Sequence, residues 1–308
     1  MSEGDIGLWG VPLAILGGAI RVSTPFLFVS IGECLTERSG RINLGLEGTL
    51  VFGAMAGYAV AYESGSAWAG VGAAALAGSV FGLVHGLICS LPRVNDIAIG
   101  IAMMLLGVGL AFFFGKPYIQ PVAPDLPAIS FGWWSDLPQV KAALQVNVLF
   151  IAGALAALLL WWVFRNTKAG LIVRVVGDST DAARAMGLRP NRIRVISTAI
   201  GGALAGVGGA YLSLYYPGSW NEGISSGQGL MAVALVIFAR WNPLACFGAA
   251  LLFGGAGALG PALQSVGVTQ GYYLFYAAPY VLTLGMLIAT SSPTRALTGA
   301  PGELSITK

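Results

Sequence analysis

Glu33-Cys-Leu-Thr-Glu-Arg-Ser-Gly-Arg-Ile-Asn-Leu-Gly-Leu-Glu47 sets five charges, one Asn and two glycines between apolar segments, in a chain only 9% charged. Ionisable side chains at membrane depth cost about 2.5–3.5 kcal/mol each on insertion scales, so they persist beside a cavity, a partner or a moving part. The flanks of this stretch decide the fold class, and the stretch itself marks where function is to be sought.

Those flanks continue through the whole chain. Hydrophobic residues make up 56% of 308, glycine contributes 45, and the mean hydropathy is +0.78. A soluble protein of this size needs a charged shell, and this composition belongs to polytopic membrane proteins. Ala67 to Leu91 holds no charge and one His, and Asn147 to Phe164 holds no ionisable group, against the ~20 apolar residues that a crossing requires. The start, MSEGDIG, lacks a basic region and a cleavage site and reads as the mature terminus. Cys34, Cys89 and Cys246 have neither CxxC spacing nor an evident pairing, and read as packing residues.

Ten apolar segments can be drawn, at 6–20, 22–36, 42–62, 67–91, 94–115, 146–164, 195–216, 228–239, 243–263 and 272–290. The expected architecture is all-α and polytopic, one transmembrane domain over 1–308 with about 8–10 spans. Between Arg165 and Arg194 stand seven basic residues against Asp178 and Asp181, which makes 165–194 cytoplasmic by the positive-inside rule. Alternation then puts 116–145 and Pro217 to Gly227 outside, Arg38 to Arg41 and Arg240 inside, Arg21 at an outside turn, and both termini inside, Arg295 and Lys308 included. The outside loop carries five prolines and Trp133-Trp134, suited either to meeting an external partner or to capping the bundle.

Segments 22–36 and 228–239 are too short for an ordinary crossing. The order long, short, long, long in 6–91 recurs in 195–290, which suggests a parallel pseudo-repeat around a pathway, since broken segments at matching places point to a transport site. The alternative is that both short pieces are peripheral and re-entrant. Gly53xxxGly57, Gly78xxxGly82xxxGly86 and Gly202xxxGly206 predict close helix contacts. By position beside the short segments, Asn43, Glu47, Asn95 and Gln228 are candidates for the pathway, with helix–helix hydrogen bonding as the alternative for each. Glu33, Glu37, Arg38 and Arg41 are expected to form local ion pairs that hold the turn.

Several chemistries find no motif. There is no GxxxxGK[ST]. The lone His85 suits a packed or pore-facing residue better than a metal ligand. Val176 to Arg192 is more telling: Asp178 suits an N-cap, Asp181 a first turn and Gly187 the C′ position, predicting a short helix over Ser179 to Met186 whose exposed face is Ala182, Ala183 and Met186. A capped, partly apolar helix in a charged loop fits the groove of a partner.

GECLTERSGRINLGLEGTLVFGA (Gly32 to Ala54) resembles the start of permease subunits of bacterial ABC importers for nucleosides and simple sugars, within the wider branched-chain amino acid and ribose permease family. GDSTDAARAMGLRPNRIRV (Gly177 to Val195) and the Gly/Ala-rich run after it look like that family's coupling loop and next helix. The resemblance, spanning about Arg21 to Ile288, implies alternating access driven by separate ABC ATPase subunits that bind ATP and Mg. It further implies a second permease subunit, alike or different, an extracytoplasmic substrate-binding protein, and a bacterial inner-membrane location. The chain itself would hold no cofactor or metal and meet no nucleic acid. The helix from Asp178 to Met186 would enter an ATPase groove. Phe238-Ala-Arg-Trp-Asn-Pro243 departs from the Gly-rich turn of many relatives. An ion-coupled secondary transporter is the rival reading, and an intramembrane enzyme a third.

Overall fold

The computed structural model describes residues 10–265, 274–275, 277–290 and 299–305. Residues 1–9, Arg295 and Lys308, on which part of the orientation count relied, lie outside the described residues, as do 272 and 273 of the tenth segment. Among the described residues the protein is almost wholly helical, and six helices are long and apolar enough to cross a membrane.

The first two expected segments are one helix. α1 runs from Gly10 to Arg38, 29 residues, with Pro25 inside it and no turn at Arg21. The hydroxyls of Ser23 and Thr24 bond the Ile20 carbonyl at 3.1 and 2.9 Å, beside the interruption. Neighbouring helices and such hydroxyls let a membrane helix carry Pro. One crossing therefore drops out of the alternation, and the count that placed the amino terminus inside no longer holds. The long–short order also fails in the first half, while the second half keeps its short helix.

α2 (Leu46–Ser64), α3 (Ala67–Ile88) and α4 (Asp96–Gly115) follow. Ser66 caps α3, and Asn95 caps α4 through the amides of Ile97 and Ala98. The expected glycine contacts are present. A Cβ on Gly78 would strike the Gly202 carbonyl, one on Gly206 the Ala74 carbonyl, and one on Gly53 would lie 2.7 Å from the Gly206 Cα. α2 and α3 thus press backbone to backbone on α9 (Pro190–Leu214).

Between α4 and the next span lie β1 (Ala128–Ser130), α5 (Pro138–Ala143) and β2 (Gln145–Asn147), the strands pairing antiparallel. Trp133 and Trp134 project from this loop, strongly exposed. Asn147 then caps α6 (Val148–Asn166).

The basic loop is more ordered than a connector. α7 (Lys168–Asp178) and α8 (Thr180–Ala185) fill it. Ser179, not Asp178, caps α8, accepting from the Ala182 amide at 3.2 Å, because Asp178 is already the last residue of α7. Ala183 is fully buried, so the exposed residues are Asp181, Ala182, Arg184, Ala185 and Met186. Gly187 has φ +75°, as C′ requires.

α10 (Gln228–Phe238), α11 (Pro243–Ser265), α12 (Ala278–Thr290) and the short α13 (Gly302–Ser305) complete the chain. α11 packs along α1, where Gly254 admits the Ala19 carbonyl at 2.5 Å from a built Cβ. All three cysteines are free and buried, with Cys34 and Cys246 in one cluster.

Candidate functional site

The eleven residues of α10 span about 16 Å at 1.5 Å per residue, against a hydrocarbon core of about 30 Å. Its carboxyl end, through Trp241, meets the end of α1. Its amino end therefore stops short of a full crossing, and its first backbone amides need acceptors from elsewhere in the chain. Glu47, in the first turn of α2, supplies what is missing: one oxygen accepts from the Ser225 hydroxyl and from the Gly227 amide at 3.1 Å, the other from the Gly229 amide at 2.7 Å. The carboxylate sits at two helix N-termini at once, where both dipoles favour it. A Cβ on Gly229 would lie 2.6 Å from the Glu47 Cα, so only glycine admits this approach.

Next to that junction is a cleft of about 210 Å³, walled by Pro25 and Phe26 of α1, Gln228 and Met231 of α10, Phe253 of α11 and Tyr280 of α12. Gln228 Oε1 is buried here without a hydrogen-bond partner among the described residues. Glu47 and Gln228 are thus brought together, as two of the four pathway candidates. Asn43 lies in the turn below, its Oδ1 accepting from the Gly45 amide at 2.9 Å. Asn95 stands apart at the exposed start of α4, engaged in capping.

The turn after α1 is not held by the expected ion pairs. Glu33, fully buried, accepts from the Asn43 amide at 2.8 Å. Glu37 accepts from the indole N–H of Trp241, Arg38 donates to the Trp241 carbonyl at 2.9 Å, and Arg41 pairs with Asp96 at 2.6 Å. Each of the four side chains engages a group outside α1. Arg240 and Trp241 have φ +51° and +53°, the left-handed backbone that glycine adopts at no steric cost. The clasp of Glu37 and Arg38 on Trp241 holds that turn against α1. His85 is buried, its Nε2 3.2 Å from the Ile42 carbonyl, and is a packed residue.

Beneath lies a junction that sequence reasoning missed. Arg194, in the first turns of α9 and 7% exposed, donates to the Ser39 carbonyl at 3.0 Å, the Val176 carbonyl at 3.3 Å and the Thr180 hydroxyl at 2.9 Å. It also pairs with Glu303 at 3.3 Å. Glu303 in turn accepts from the Thr180 amide at 2.7 Å, at the start of α8. Burial opposes ionisation of Glu303, but the Thr180 amide and hydroxyl and the Arg194 guanidinium prevail and hold its carboxyl below the usual carboxylate range. One residue thus ties the ends of α1 and α7 to α8, and α8 to α13. Arg194 was legible only as one basic residue among seven, whereas helical spacing from Pro190 would have put it on the buried stripe with Thr198 and Gly201.

The chain resembles known proteins over most of its length. A putative glucose ABC transporter permease protein of Haloferax volcanii is 33% identical over 78% of this chain and 74% of its own. A guanosine ABC transporter permease protein of Bacillus subtilis is 28% identical over 88% and 89%, and a nucleoside ABC transporter permease protein of Lactococcus lactis 28% over 89% and 90%. Residues 15–291 match the family described as branched-chain amino acid transport system / permease component. The chain is therefore a multi-pass membrane transport subunit, and it belongs to that permease family.

Proposed function

We propose that this chain is the membrane-spanning subunit of an ATP-driven importer that moves a nucleoside, or a related purine compound or simple sugar, by alternating access. The observation that carries this reading is α8. It is a capped helix that exposes Asp181, Ala182, Arg184, Ala185 and Met186, fastened from beneath by Arg194 and Glu303 to the ends of α1 and α7. A helix held that way is suited to receive a push. An ABC ATPase, which binds the ATP and Mg, docks on that face, a second permease subunit, alike or different, completes the assembly, and an extracytoplasmic binding protein delivers the solute to the opposite end. The expected location is a bacterial inner membrane.

Within the chain, the solute passes beside the cleft at the amino end of α10. Gln228 offers there an acceptor with no partner among the described residues, and aromatic and proline walls suit a flat base or a sugar face. Glu47 holds the half-helix in place, and Asn43 braces the turn leading to α2. Because Glu47 occupies the α10 amides, that helix end is not open to an anionic solute. An ion-coupled carrier needs carboxylates free to bind ions deep in its spans, whereas Glu47 already has three donors.

The test is uptake into proteoliposomes holding the permease with its own ATPase and binding protein. Guanosine and glucose are offered separately, with and without ATP, at zero ion gradient. Uptake of one solute that requires ATP is expected. Uptake by the permease alone under an ion gradient would overturn the reading.

A further inference from the structure

A second cavity, of about 490 Å³, lies on the side of the bundle, between α1, α6, α7 and α9. Its walls are apolar apart from a single serine, and include Leu35, Leu160, Val163, Ile172, Ile196 and Ile200. Ile196 and Ile200 are exposed, so the groove opens sideways to where lipid tails lie. No described segment of the chain covers it.

Its depth is marked on both sides. Leu35 is one turn from the end of α1, and Trp161 and Trp162 lie one turn before Arg165, the Arg165 guanidinium 5.2 Å over the Trp161 ring. Tryptophans sit at the headgroup level, so the groove spans the tail region of one leaflet and reaches its interface. At that interface three exposed cations stand where the lining helices end: Arg165 near the close of α6, Lys168 at the start of α7 and Arg192 in the first turn of α9. Lys168 is four residues before Ile172 and Arg192 four before Ile196, so each continues a groove-lining stripe toward the polar end. Asp178 lies at the far end of α7 from Lys168, about 15 Å along by the rise of that helix.

We propose that this groove binds one anionic phospholipid, with an acyl chain against α1, α6 and α9 and the phosphate among Arg165, Lys168 and Arg192. Basic pockets between helices at the cytoplasmic face are suited to anionic headgroups. A second copy of the chain fits less well: across a two-fold axis the same patch meets itself, and three cations would face three.

Full-length protein, purified in mild detergent, is equilibrated with vesicles of equal parts phosphatidylglycerol and phosphatidylcholine and weighed by native mass spectrometry. One phosphatidylglycerol per chain is expected to survive washing, at least tenfold over phosphatidylcholine. Lys168→Glu with Arg192→Glu should abolish that preference, and Ala169→Trp, which places an indole in the groove, should remove the lipid while leaving the elution profile unchanged. Equal retention of the two lipids would overturn the proposal, as would wild-type retention in the charge variant. Loss of a protein subunit rather than lipid from the assembled transporter in Ala169→Trp would also overturn it, and make the groove a subunit contact. If Ala169→Trp fails to fold, the charge variant decides.

Discussion

Glu47 and Arg194 solve the same problem with opposite charges. Glu47 is an anion at the amino ends of α2 and α10, taking three donors. Arg194 is a cation near the carboxyl ends of α1 and α7, giving hydrogen bonds to the Ser39 and Val176 carbonyls. Both follow the helix dipole and satisfy backbone groups that helix termini leave open. They differ in reach. Glu47 joins two elements beside a cleft, whereas Arg194 joins α1, α7, α8 and α13. The first shapes a site, and the second assembles the surface that a partner would drive.

Removing each charge tests that contrast. Arg194→Met should cost about 3–5 kcal/mol, because it leaves the buried Ser39 and Val176 carbonyls without their donor and takes the partner from the part-exposed Glu303. Denaturant unfolding in detergent measures it, and Arg194→Lys, which keeps charge but loses the fork, should recover part. Glu47→Ala should cost about 2–3 kcal/mol through its charge-assisted bonds, Glu47→Gln less, and both should lower uptake more than Arg194→Lys does. Gly229→Ala sharpens the comparison further: its methyl is placed against the Glu47 backbone, for about 1–3 kcal/mol.

The smallest effect concerns pH. The folded-state pKa of Glu303 is depressed, so its contribution is fully present above the ordinary carboxylate value and is lost as pH falls through the folded value. Glu303 is part-exposed, so the loss should be modest. The unfolding midpoint of wild type should drop over that acid range more than that of Glu303→Gln, and parallel curves would count against the Arg194–Glu303 link.

The sequence made the class, the glycine-packed α2–α3–α9 core, the short α10 and the α8 helix legible, because apolar length, small-residue spacing and capping are local patterns. Glu47 and Gln228 stand beside the two short apolar segments drawn in the sequence, and the structure brings them to one junction. What was missed is non-local. The α1 helix runs through Arg21 and Pro25 because α11 and hydroxyl groups support it, and a single Arg with Pro four residues on looks like a turn when that support is unseen. Likewise Glu33, Glu37, Arg38 and Arg41 lie close together in sequence but engage Asn43, Trp241 and Asp96. Ala183 was misplaced because moving the cap by one residue, from Asp178 to Ser179, rotates the face of a six-residue helix by about 100°.

The exposed face of α8 bears the central claim, and Met186→Asp probes it without entering the fold, since Met186 is 63% exposed. The measurement is ATP-driven solute uptake by the complete transporter in proteoliposomes, with ATPase co-purification scored on the same preparation. Loss of uptake and of the co-purifying ATPase, at an unchanged unfolding midpoint, is the predicted result. Wild-type uptake with the ATPase still bound would contradict the account.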